Sequence, residues 1–204
     1  MTTTALQPER EATRADAAPF RLIMAFALYM LLLVWIVLWK LELPWVGGVD
    51  RVIKLVPFLA TAEQGASRPS EVIVNLLLFV PFGLFLGLLA PWWSWHRLAG
   101  VTAVVSLALE ATQFVLAIGS TDVTDVLVNT AGALIGYGLV ALVRHRLPAG
   151  GRSILIRICV VGTLAALLAA ALFIASPIRF APPASGIGHG PDRAADGGPL
   201  GERL

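Results

Sequence analysis

Ser106-Leu-Ala-Leu-Glu110-Ala-Thr-Gln113-Phe-Val-Leu-Ala-Ile-Gly119-Ser-Thr-Asp122-Val-Thr-Asp125-Val-Leu-Val-Asn129-Thr-Ala-Gly132-Ala-Leu-Ile-Gly136-Tyr137 reads as two apolar helices joined by the tight turn Gly119-Ser120-Thr121. A connection that short makes them an antiparallel hairpin. Glu110, Gln113, Asp122, Asp125 and Asn129 are set into this apolar background. Hydrocarbon tolerates such groups only where they face a protein interior or a wet cavity. Glu110 and Gln113 are spaced i,i+3, and Asp122, Asp125 and Asn129 are spaced i,i+3,i+7, so each set shares one helical face. Counted back from the turn at 1.5 Å per residue, Glu110 lies about 12 Å deep and Asn129 about 10 Å deep, so the hairpin brings them level.

Working outward, the same apolar character fills most of the chain. Of 204 residues, 57% are hydrophobic and 14% charged, which sets the sequence apart from soluble domains. The expected fold is all-α, a polytopic transmembrane helix bundle of about five spans. They cover residues 20–39, 72–90, 98–118, 122–143 and 153–175, each long enough to cross ~30 Å of hydrocarbon. Residues 1–19 and 176–204 are polar or rich in Pro and Gly and are expected to be disordered tails. The first apolar run is too long for a signal-peptide core and is expected to remain as an anchor. The net charge of +2 is spread over tails and loops, with no basic groove and interleaved aromatics, so no nucleic-acid partner is expected. Cys159 is the single cysteine, which excludes an intrachain disulfide and a thiolate metal cluster.

The loop from Leu41 to Ser70 is long for a compact domain. Its stretch Val49-Asp-Arg51-Val-Ile-Lys54-Leu-Val-Pro-Phe58 mixes apolar and charged side chains, which suits an interfacial or re-entrant segment. In the second span, Pro81 is expected to kink the helix, and Gly83 and Gly87 form a small-xxx-small face. Gly132 and Gly136 do the same in the fourth. Arg97, Arg144, Arg146 and Arg152 sit in short loops on the side of the amino terminus, which is therefore expected to be cytoplasmic.

Asn75, Glu110, Gln113, Asp122, Asp125 and Asn129 all fall in one leaflet, and they are read as a ligand-binding notch opening outward. Arg51, Lys54 and Arg68 are the cations expected to neutralise it. Interhelical hydrogen bonds worth ~0.6 kcal/mol each are the bland account of the amides, and an N-cap is that of Asp122. Glu110 is different: a carboxylate near the midplane costs at least ~2.5 kcal/mol, and a neutral amide would pack with less cost, so Glu110 is the candidate catalytic or ligand-holding group. Asp122 and Asp125 are the candidate ligands for a divalent cation, since carboxylate oxygens suit Mg²⁺ or Ca²⁺.

Four ordered motifs carry a resemblance. They are Lys54-Leu-Val-Pro-Phe58, Asn75-Leu-Leu-Leu-Phe-Val-Pro-Phe-Gly83, Glu110-x-x-Gln113-Phe, and Asp122-x-x-Asp125-x-x-x-Asn129-Thr-x-Gly132-Ala-x-x-Gly136-Tyr. Together they resemble the VanZ-like family over roughly Arg51 to Tyr137. The resemblance implies a small multi-pass protein of the bacterial cell membrane whose namesake is linked to resistance against the glycopeptide teicoplanin. It implies no established reaction. Family members usually carry asparagine where Lys54 stands, and commonly an arginine where this chain has Gly119-Ser120.

Three functions follow as expectations. The first is a binding or protective protein whose notch holds a lipid-linked envelope component or a lipophilic antibiotic tail, with Gly83, Gly87, Gly132 and Gly136 giving the tail room between spans two and four. The second is a membrane enzyme acting on a lipid phosphate or ester with Glu110 as general base and a divalent ion on Asp122 and Asp125. The third is a small-solute or proton transporter.

Overall fold

A computed structural model describes residues 6–42, 44–48, 53–54, 69–119, 121–148 and 150–176. The elements are α1 (Leu6–Trp39), β1 (Ile53–Lys54), α2 (Pro69–Leu89), α3 (Trp95–Leu116), β2 (Thr121–Asp122), α4 (Val123–Arg146) and α5 (Gly151–Ala175). Five helices are long and apolar enough to cross a membrane, the first from Pro19 to Trp39. The course of α1 therefore begins at Leu6, within the stretch read from sequence as a tail. Leu31, Val104, Val115 and Leu168 stand between 62% and 70% exposed. Such a belt of bare aliphatic side chains suits hydrocarbon as its solvent.

The bundle is built on α2 and α4, which run parallel. A Cβ added at Gly132 would lie 2.2 Å from the carbonyl oxygen of Leu76, and one at Gly136 would lie 2.0 Å from that of Val80. At Gly83 the distance to the Ala133 carbonyl oxygen is 1.8 Å. Backbone meets backbone here, which only glycine permits and which lets dispersion hold two helices in a solvent that offers no hydrophobic drive. The contact overturns one expectation. The small-residue faces are filled by the partner helix and leave no room for a hydrocarbon tail between α2 and α4. Helix α2 runs from Pro69 to Leu89 with Pro81 inside it.

On the other face of α2 the rings of Phe26, Tyr29, Phe79, Phe82 and Phe85 cluster, with centroids 5.3 to 6.4 Å apart. The Tyr29 hydroxyl donates to the Leu78 carbonyl, so its polar end is satisfied within the bundle. At the opposite membrane face Ser94 caps α3 by accepting from Arg97 N at 3.4 Å. There His96 stacks on Trp95 at 3.5 Å and Arg97 lies over the Trp93 ring at 5.6 Å. This is an aromatic and cationic cluster of the kind that sits at headgroup level.

Helices α3 and α4 are antiparallel neighbours, with α3 ending at Leu116, two residues before the expected Ile118. Ala117 takes the left-handed conformation after α3 and donates to Gln113 O and Phe114 O, while Asp122 caps α4 by accepting from Thr124 N at 2.8 Å. The loop after α1 returns to this hairpin. Lys40 and Leu41 are left-handed at φ 51° and 66°, and Trp39 Nε1 donates to Trp45 O at 2.9 Å. Gly47 N then donates to Leu116 O at 2.8 Å, satisfying a carbonyl at the end of α3. Further on, Ile53 and Lys54 pair in parallel with Thr121 and Asp122. This short ladder brings the loop backbone to the turn of the hairpin.

Candidate functional site

The α2–α4 contact fixes the register of everything polar above it. Leu76 against Gly132 sets the preceding turn of α2 beside the first turns of α4, and Asn75 Nδ2 donates to Asp125 Oδ1 at 2.8 Å. From α3, Glu110 Oε2 accepts from the backbone N of Asp122 at 3.0 Å. Glu110 and Asp125 thus meet at the same cavity, one from α3 and the other from α4. One turn deeper, Asn129 Nδ2 donates to Ser106 Oγ at 2.8 Å. Gln113 reaches across to α1 and donates to Val37 O at 2.8 Å.

Asn75, Glu110, Gln113, Asp122, Asp125 and Asn129 all line one cavity of about 510 Å³. Glu110 is 2% exposed, Asn129 4% and Asp122 7%, so the acids and amides face protein and cavity and not the lipid belt. Asn129 Oδ1 is buried with no hydrogen-bond partner. An acceptor left in that state costs about 1–3 kcal/mol unless something donates to it.

Some groups at or behind the lining lie outside the expected set. Lys40 and Glu71 border the cavity, and Ser106 is the anchor for Asn129. Helical spacing carried the signal for two of them, since Ser106 precedes Glu110 by four residues and Glu71 precedes Asn75 by four. Lys40 and Leu41, in the left-handed turn after α1, both lie at the cavity. Arg51 and Arg68, expected as counter-charges, lie outside the described residues, and of Lys54 only the backbone pairing with Asp122 is described. Gly119, in the pair where the resemblance leads to an arginine, lines the cavity, and a Cβ added there would lie 3.5 Å from the Gln113 side chain.

Among the described residues no group of three or more His, Cys, Asp or Glu is arranged to hold a metal ion. The Asp122 carboxylate is occupied in capping α4. Ser70 is the one hydroxyl side chain in the described lining, at the exposed start of α2, and no histidine or cysteine is among the lining residues.

A five-helix bundle that buries acids and amides from three of its spans around one cavity defines a class: a multi-pass membrane protein with a polar site sunk into one leaflet. Within that class the chain belongs to the VanZ/LLP1 family, whose model matches residues 26–144. It is 40% identical over 119 residues to Protein VanZ of Enterococcus faecium, covering 57% of this chain and 71% of that protein. No solved structure matches. The family match takes in every residue that lines the polar cavity and ends before α5.

Proposed function

We propose that this protein binds the polar head of a lipid-linked cell-envelope component, or of a lipophilic glycopeptide-type antibiotic, in the cavity between α1, α2, α3 and α4. In doing so it contributes to envelope maintenance or to antibiotic resistance. The observation that carries this reading is Asn129: its buried Oδ1 lacks a donor in a cavity otherwise rich in carboxylates, and a bound head supplies one. The volume lies within the range of small-molecule sites. Family membership supports a role in resistance of the kind that the resemblance to the teicoplanin-linked namesake implies. Arg97, Arg144, Arg146 and Arg152 hold the opposite loops inside by the positive-inside rule, so the cavity faces outward.

The test is Glu110→Gln in a host carrying this protein in place of its own copy. The amide oxygen can still accept from Asp122 N, while the acidic group at the cavity is lost. Glycopeptide tolerance is expected to fall to the level of a deletion strain, with the amount of membrane-inserted protein unchanged. Equal tolerance in the deletion strain, the variant and the wild type would overturn the reading.

A further inference from the structure

A second cavity of about 450 Å³ lies between α1, α2 and α5. Ile36, Val74 and Leu78 belong to the linings of both cavities, so a polar cavity and an apolar one adjoin along α1 and α2. Along α2 the apolar part runs from Val74 to Phe85, about 16 Å at 1.5 Å per residue, which is half of the ~30 Å hydrocarbon core and thus one leaflet. Its walls are mostly aliphatic and aromatic, with Cys159 and Thr163 on the α5 side, and the Tyr29 hydroxyl among them is taken up by Leu78 O. On the α5 wall, a Cβ added at Gly162 meets nothing within 4 Å, so the groove is open there.

The polar end has a definite chemical bias. Among its described lining residues, Glu71, Glu110, Asp122 and Asp125 carry carboxyl groups, and Lys40 carries the one ammonium. The amides of Asn75, Gln113 and Asn129 each commit a donor to Asp125, Val37 O and Ser106. The acceptor of Asn129 stays bare on a side chain that is 4% exposed. An acid-rich pocket with an orphaned buried acceptor selects a ligand that donates hydrogen bonds and carries positive charge.

We infer that the adjoining cavities are a two-part site for an amphiphile with a primary amine in its head. The ammonium is held among Glu110, Asp125 and Asn129, and one hydrocarbon chain lies along α1, α2 and α5. This rests on the head-binding reading above and adds the chemistry of the head and the path of the tail. The tail path is not the α2–α4 interface, where glycine backbones already touch.

The test uses the full chain in detergent and native mass spectrometry. The lipid probes share dioleoyl chains: phosphatidylethanolamine, phosphatidylcholine and phosphatidylglycerol. Octadecylamine is the fourth probe and separates a bare amine from a phosphate-linked one. Phosphatidylethanolamine is expected to bind about tenfold more tightly than phosphatidylcholine or phosphatidylglycerol, the scale of one charge-assisted hydrogen bond. Octadecylamine matching phosphatidylethanolamine assigns recognition to the amine alone; octadecylamine bound no better than phosphatidylcholine would overturn the amine assignment. Equal binding of all probes would overturn it as well, in the wild-type protein and without any variant.

For the tail, Gly162→Phe fills the groove and is expected to weaken phosphatidylethanolamine binding about tenfold. Gly138→Phe is the control, because Gly138 is equally open and lines neither cavity. If the two variants behave alike while Glu110→Gln still weakens binding, the tail path is wrong and the polar head site stands. If Glu110→Gln also leaves every probe unchanged, both readings fall.

Discussion

The two faces of α2 use small residues in opposite ways. Toward α4, Gly83, Gly132 and Gly136 are pressed against carbonyl oxygens, and a methyl group would sit 1.8 to 2.2 Å from them. Toward α1 and α5 there is a groove of about 450 Å³, and Gly162 on its far wall touches nothing a Cβ would meet. A glycine in an apolar helix therefore signals either a filled contact or an opening, and its neighbours in sequence do not say which. The α2–α4 face aligns the polar groups, and the α1–α5 face leaves space. Rigidity on one side makes a lasting opening on the other tolerable, because the register of Asn75 against Asp125 does not depend on α5.

The largest effect that would break this contrast is on the closed face. Gly132→Leu is expected to abolish recovery of monodisperse protein after detergent extraction, since the side chain has only the α2 backbone to displace and overpacking alone costs about 1–3 kcal/mol or more. Gly162→Ala is expected to change the detergent melting behaviour by less than ~0.5 kcal/mol, as for a substitution that meets no neighbour. Comparable losses in both would mean that the two faces do not differ as described.

A middle-sized effect tests whether the closed face aligns the site. Asn75→Leu removes the donor to Asp125 and is expected to cost about 1 kcal/mol, the scale for a hydrogen bond lost at a half-buried acceptor. It is read from the midpoint of denaturation in mixed micelles. An unchanged midpoint would mean that the hydrogen bond is not held by the helix register. A smaller loss sharpens the picture beneath the cavity. Ser106→Ala leaves Asn129 Nδ2 without its acceptor and is expected to cost about 0.6 kcal/mol, the mean for polar contacts between membrane helices. A double-mutant cycle with Asn129→Ala isolates that term.

Much of this was readable in the sequence. The five spans follow from run length and apolarity, and the hairpin follows from the three-residue turn. The meeting of Asn75, Glu110, Gln113, Asp122, Asp125 and Asn129 at one cavity follows from helical spacing and equal depth. The fate of the glycines was not readable, because a small-xxx-small face states that something comes close without naming what. The first loop was expected to be interfacial or re-entrant, but where its return begins was not readable. It turns at Lys40 and Leu41, which adopt positive φ without the glycine or asparagine that usually marks such a place. The apolar groove left no trace either, because α1, α2 and α5 are apolar both where they line it and where they face lipid.

The Asn75–Asp125 hydrogen bond joins positions 50 apart in the chain, with all of α3 between them. Chains emerge from the ribosome at about 5–20 residues per second. For several seconds of its synthesis, α2 thus exists without the helix that covers its glycine face and without the acid that its asparagine serves. The insertion machinery, or a waiting water-lined niche, has to shelter that amide until α4 arrives, and assembly of this bundle is governed by the arrival of its fourth span.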